Sequence, residues 1–165
     1  LLKGGGHAMA AGVTLRKNAL APLRAFLETT LTAEVEAARR ESGLLIDGAV
    51  SAAAANADLV DLIGRAGPFG AGNPEPVIAL PAHTVSYAEE VGQAHVRVRL
   101  KSNDGSGVNA IAFRVAGQKL GHALMQSRGQ PVHAAGTFAL DRWQGEERVQ
   151  FKLIDIAAAD AFPGR

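Results

Sequence analysis

At 165 residues, with 47% hydrophobic and 20% charged side chains, the chain is long enough to bury the core of one domain, or of one domain and part of another. Its 17 basic and 16 acidic residues leave a net charge of +1, so bulk charge does not point to a polyanionic partner. The absence of cysteine excludes disulfides, thiolate metal sites and a cysteine nucleophile and fits a reducing, cytoplasmic setting, and no apolar run approaches the roughly 20 residues of a membrane helix.

Charge is unevenly spread. Residues 42–76 hold one basic and four acidic side chains, against six and four before them and ten and eight after them. No basic-then-apolar signal segment opens the chain, and Leu1 in place of Met leads us to expect a piece of a longer protein. Gly4, Gly5 and Gly6 predict a turn, followed by a short strand within Ala8 to Leu15 that needs a partner. Leu20, Leu23, Leu27, Leu31, Val35 and Ala38 recur at spacings of three and four, which predicts a helix from about Ala19 to Glu41. Asn18 is its expected N-cap, Pro22 lies in its first turn, and Gly43 stops it. Leu44 to Val50 could form a strand, and Asn56 is placed to cap a short helix from Ala57 to Arg65.

Gly67 to Pro76 holds three Pro and three Gly in ten residues, which predicts an irregular boundary segment with Phe69 as an apolar plug. Beyond it, alternating runs predict strands at Val77–Tyr87, Ala94–Lys101, Gly107–Val115, Pro131–Arg142 and Glu147–Ile156. Between the third and fourth, Leu120, Leu124 and Met125 stand in helical register within Ala116 to Ser127. Three strands, a helix and two strands is the order of an OB-fold, a five-stranded Greek-key barrel. The expected class is therefore mainly β with helices. Its parts are an N-terminal segment with a connecting helix (1–41), a linker (42–76) and the barrel (77–160).

In the second barrel strand, Val96, Val98 and Leu100 share one face, while His95, Arg97, Arg99 and Lys101 share the other with no acidic residue among them. OB-folds bind oligonucleotides on the face of strands two and three, so this basic row lies where phosphates would run. The same alternation also describes any half-exposed strand. Arg142 and Trp143 are expected in the turn between the last two strands, where an indole can stack on a base and a guanidinium can meet phosphate. A Trp folded back on the barrel, with Glu146 and Glu147 repelling DNA, is the other reading. Gly4-Gly5-Gly6-His7 offers unobstructed backbone N–H groups and an imidazole donor suited to phosphate, or is simply a flexible turn. No His pair has metal-ligand spacing with a carboxylate at hand, and neither a serine elbow nor a phosphate loop with Lys is present.

The run Gly4 to Gly12, Gly-Gly-Gly-His-Ala-Met-Ala-Ala-Gly, resembles the Gly-Gly-Gly-His motif near the end of the DHHA1 domain of DHH phosphoesterases. Gly67-Pro-Phe-Gly-Ala-Gly-Asn-Pro-Glu-Pro76 resembles the segment that precedes the OB domain in RecJ-type single-stranded-DNA-specific exonucleases, and Asn109–Phe113 and Val149–Ile156 agree with that family. The resemblance implies a hydrolase that cleaves single-stranded DNA from 5′ to 3′ in repair and recombination, with Mn²⁺ or Mg²⁺ held upstream by a DHH domain. It implies that 1–41 is the remnant of an α/β DHHA1 substrate-binding domain with a connecting helix, that Gly4, Gly5, Gly6 and His7 touch substrate and that the OB domain grips the strand. It assigns no role to Ala71 or Asn73. No catalytic or metal residue is expected in this segment, which alone should be inactive. A competing reading makes the barrel a protein-contact module, for instance for a single-strand-binding protein.

Overall fold

The computed structural model describes residues 2–41, 43–143 and 146–161, with the backbone alone described at 40, 41, 142, 143, 146 and 161. The chain divides into two compact units, Leu1–Leu44 and Leu45–Arg165.

In the first unit, β1 (Lys3–His7) and β2 (Ala10–Thr14) form an antiparallel hairpin in which Gly5 faces Gly12 and His7 faces Ala10. The three glycines thus form a strand, not the expected turn. A Cβ on Gly6 would lie 2.7 Å from the Ala10 carbonyl oxygen and 2.8 Å from Ala11, so glycine permits the close approach of the two chains. The turn itself is Ala8–Met9, closed by the Met9 N–H donating to His7 Nδ1 at 3.2 Å. Helix α1 (Leu20–Glu41) follows a 3-10 turn over Lys17–Ala19. Asn18 lies inside that turn and is not the N-cap; Arg16 precedes the turn in extended conformation without a side-chain cap. The helix ends two residues before Gly43, and Leu20, Leu27, Leu31 and Val35 of its apolar stripe are exposed.

In the second unit, β3 is only Gly48–Ala49, parallel to the start of the next strand, and not the whole of the strand expected over Leu44–Val50. Leu44, Leu45 and Ile46 are exposed and give that stretch no apolar face to bury. Helix α2 (Ala57–Gly64) is capped as expected, the Leu59 N–H donating to Asn56 Oδ1 at 2.9 Å. The loop after it is tied by Asn73, whose amide donates to the carbonyls of Ala66 and Pro68, both at 3.1 Å. Asn73 therefore has a structural role that the sequence did not reveal.

The barrel comprises β4 (Ile78–Val91), β5 (His95–Lys101), β6 (Gly107–Ala112), α3 (Lys119–Gln126), β7 (Pro131–Trp143) and β8 (Glu146–Ala158). Its strands run in the order β4-β5-β6-β8-β7, and β4 also pairs with β7 to close it; β6 and β8 are parallel and the other pairs antiparallel. The interior holds Leu80, Val85, Val96, Val98, Leu100, Leu124 and Phe151, and Phe138 packs on Phe151 with ring centroids 4.9 Å apart. A Cβ on Gly136 would collide with the Lys152 carbonyl oxygen and stand 2.9 Å from Phe151 Cζ, so this glycine lets β8 and its aromatic ring close on β7.

The register of β4 against β7 shifts between Leu80 and His83, where Ala82 takes a left-handed conformation (φ 51°). Two histidines hold this bulge. The Ala82 N–H donates to His133 Nδ1 at 3.3 Å, and His83, almost fully buried, places Nδ1 2.8 Å from the Pro81 carbonyl oxygen. His83 Nε2 accepts the Ala52 N–H at 3.0 Å, so the ring carries its proton on Nδ1 and donates it to Pro81. One imidazole thereby links the bulge to the segment that precedes the barrel.

Candidate nucleic-acid interface

Strand β5 alternates as the sequence requires, with Val96, Val98 and Leu100 buried and Arg97, Arg99 and Lys101 exposed on the outer face. Pairing to both sides extends that face into rows. Tyr87, Arg99, Asn109 and Gln150 stand in register across β4, β5, β6 and β8, and Glu89, Arg97, Ile111 and Lys152 form the next row. The basic row is therefore not free of acidic neighbours: Glu89 lies directly opposite Arg97, a juxtaposition only strand pairing creates.

Tyr87 and Phe113 are 45% and 48% exposed, enough surface for a base to stack on. The Tyr87 hydroxyl donates to the Glu89 carboxylate. That hydrogen bond, followed by desolvation and the Glu89 charge, holds the phenol above its usual range against the opposing pull of Arg97 and Arg128. Arg128 reaches this edge of the barrel from the loop after α3, its guanidinium donating to the Ala88 carbonyl and standing 3.6 Å from Met125 Sδ. Arg99 is held by Asn109, whose Oδ1 accepts from Nη1 at 2.9 Å. At the end of the β5–β6 hairpin, Asp104 Oδ1 accepts the Ser106 hydroxyl and N–H at 2.6 and 2.9 Å; the hydroxyl first and the N–H second lower the Asp104 pKa.

His95 occupies the outward parity but does not extend the cationic row. It is half-buried, its Nδ1 accepts the Arg114 N–H at 2.9 Å, and its ring meets Phe113 edge-on at 5.2 Å. Arg142 and Trp143 are not in a turn: their backbone continues β7, paired with Glu147 and Glu146, and their side chains lie outside the described residues. In the other unit, His7 is exposed. With Nδ1 accepting from Met9, a neutral ring carries its proton on Nε2, which has no partner among the described residues.

Sequence reasoning missed Tyr87, Phe113, Arg128 and Lys152 and gave Asn109 no role. Alternation could have found Asn109, on the outward parity of β6, whereas Phe113 lies in the turn just past the strand's end. Tyr87 is concealed by a register shift between Val85 and Tyr87, and Arg128 belongs to no periodic segment. Among the described residues no group of three or more His, Asp or Glu could hold a metal ion, and no helix is long and apolar enough to cross a membrane.

A closed five-stranded barrel with this strand order and a helix between its third and fourth strands is an OB-fold. More narrowly, the chain belongs to the RecJ OB domain family, whose pattern matches residues 46–155. It is 29% identical over 159 residues to the single-stranded-DNA-specific exonuclease RecJ of Escherichia coli, covering 94% of this chain and 26% of that protein. The RecJ of Salmonella typhimurium is 28% identical over 116 residues, covering 70% and 20%. The chain thus spans about a fifth to a quarter of the relatives it matches. The crystal structure of Thermus thermophilus RecJ in complex with Mn²⁺ superposes with a TM-score of 0.58 at 22% identity, over 95% of this chain and 22% of that one, and shares the fold. The Mg²⁺ complex of the same enzyme gives a TM-score of 0.56 at 21% identity over 94% and 23%.

Proposed function

We propose that this chain is the strand-gripping segment of a RecJ-type exonuclease that degrades single-stranded DNA from 5′ to 3′ in repair and recombination. The observation that carries the reading is the outer face of β4, β5 and β6. There Arg97, Arg99 and Lys101 stand beside the exposed ring of Tyr87 and the amide of Asn109, and the exposed ring of Phe113 follows just past the end of β6. A single strand needs cations along its backbone and aromatic surface under its bases, and recognition of that kind tolerates any sequence. Lys152 and Arg128 widen the cationic surface at its two edges. Arg142 and Trp143 would meet the strand at the end of β7.

Gly4, Gly5, Gly6 and His7 are assigned to substrate contact near the cut. The hairpin supports this, because Met9 fixes the tautomer that leaves a neutral Nε2–H donor for a phosphate oxygen without a fixed charge. Mn²⁺ or Mg²⁺ belongs to the catalytic part of the full-length enzyme. The residues described here do not fit a divalent-metal site, and no step of the cleavage is assigned to them. The chain alone is expected to bind DNA without hydrolysing it, in the cytoplasm of its cell.

Titrating ¹⁵N-labelled protein with an oligo-dT strand tests the reading. Amide shifts should concentrate on Tyr87–Glu89, Arg97–Lys101 and Asn109–Phe113. Shifts confined to other parts of the barrel would refute the face assignment. Absence of DNA binding together with affinity for an acidic partner peptide would favour docking of a partner such as a single-strand-binding protein.

A further inference from the structure

One cation of the outer face is held in place before any ligand arrives. Arg99 Nη1 donates to Asn109 Oδ1 at 2.9 Å, from residues in direct register across β5 and β6. On the other side stands Gly107, two residues before Asn109 on the same strand. Arg99 Nη2 and Nε lie 3.3 and 3.4 Å from the point where a Gly107 Cβ would be, and Cζ is not among the three nearest atoms. The missing side chain at Gly107 therefore gives the Nε and Nη2 side of the guanidinium room to lie against β6. A guanidinium held in one orientation can present paired N–H donors to a phosphate. Arg97 and Lys101, by contrast, are exposed and make no hydrogen bond among the described residues.

We infer that Asn109 and Gly107 are positioning residues for Arg99: the carboxamide fixes the guanidinium, and the glycine leaves it room beside β6, so that it stands ready for a phosphate of a bound single strand. The inference rests on the face reading above and adds a division of labour within it. A side chain already ordered loses less freedom on binding than a mobile one, so removing the clamp weakens binding while leaving every charge in place.

The test is a double-mutant cycle on the 165-residue chain, read by fluorescence anisotropy of a labelled oligo-dT strand. Asn109→Ala should weaken binding roughly three- to tenfold, the range set by ordering one long side chain. In an Arg99→Ala background the same change should have no further effect. Gly107→Ala and Arg99→Lys should each weaken binding with net charge conserved. Asn109→Ala should keep the wild-type dependence on salt, whereas Arg99→Ala should flatten it by about 0.7. An equal loss from Asn109→Ala with and without Arg99, or no loss with Arg99 present, would overturn the inference. If Arg99→Ala itself binds like wild type, the face reading has failed. The clamp is then judged by the Arg99 Nη resonances: rotation about Cζ–Nη1 should be hindered in the wild type, giving separate Nη signals, and should become fast in Asn109→Ala. Unchanged resonances would overturn the clamp independently of DNA.

Discussion

Replacing His83 by Phe tests the joint between the barrel and the segment that precedes it. The ring sits almost fully buried, its Nε2 accepting the Ala52 N–H at 3.0 Å and its Nδ1 donating to the Pro81 carbonyl at 2.8 Å. A phenyl ring preserves the volume and removes both contacts. Pro81 is exposed, so its carbonyl regains water and contributes little. Ala52 is only 5% exposed, and its N–H is left without a partner. An orphaned buried donor costs about 1–3 kcal/mol, which is the expected destabilisation. His83→Gln, whose Oε1 can still accept from Ala52, should lose less. Urea unfolding followed by circular dichroism gives the ranking wild type, Gln, Phe, and amide hydrogen exchange at Ala52 should accelerate in the Phe variant. A Phe variant as stable as the wild type, with Ala52 equally protected, would refute the bond and with it this account of the joint.

Three further outcomes follow from other contacts. Gly136→Ala should destabilise the barrel strongly, by about 1–3 kcal/mol or more, because the new methyl meets the Lys152 carbonyl and Phe151; thermal melting reads the loss. Tyr87 is the only tyrosine in the chain, so phenolate absorbance titrates it alone. The midpoint should lie above 10.0 and fall in Glu89→Ala, since the Glu89 hydrogen bond is the main cause of the shift; an unmoved midpoint would remove Glu89 as that cause. In the full-length enzyme, His7→Ala should lower nuclease activity without changing the melting temperature, because among the described residues the exposed ring bonds only within its own turn; equal activity would deny it a role at the substrate.

The barrel was legible because its signals are local. Period-two alternation in β5 predicted which residues are buried, and Asn56 could be read as a cap from its position before an apolar helix. What stayed hidden depends on pairings that no periodic pattern announces. Three glycines suggest a turn until β2 is known to lie against them, and Glu89 is remote from Arg97 until β4 pairs with β5. The bulge at Ala82 is sustained by His133 and His83, neither of which carries a spacing signal. Asn73 likewise serves carbonyls five and seven residues back along an irregular loop, where no periodicity exists to be read. The candidate face was half legible for the same reason: the cations share one strand, while Tyr87 and Arg128 reach it through a register shift and a loop.

The central claim is that the outer face of β5 tracks the phosphates of a single strand, and the salt dependence of binding tests it most directly. Affinity for oligo-dT and for a mixed-sequence strand should be measured over a range of salt concentrations for the wild type and for the Arg97→Ala, Arg99→Ala double variant. Each phosphate contact on a single strand contributes about −0.7 to the slope of log affinity against log salt. Loss of two contacts should therefore flatten the slope by roughly 1.4 and weaken binding to both strands alike. A double variant that binds with wild-type affinity and slope would contradict the claim and leave the row Arg97, Arg99 and Lys101 as a solvated strand face.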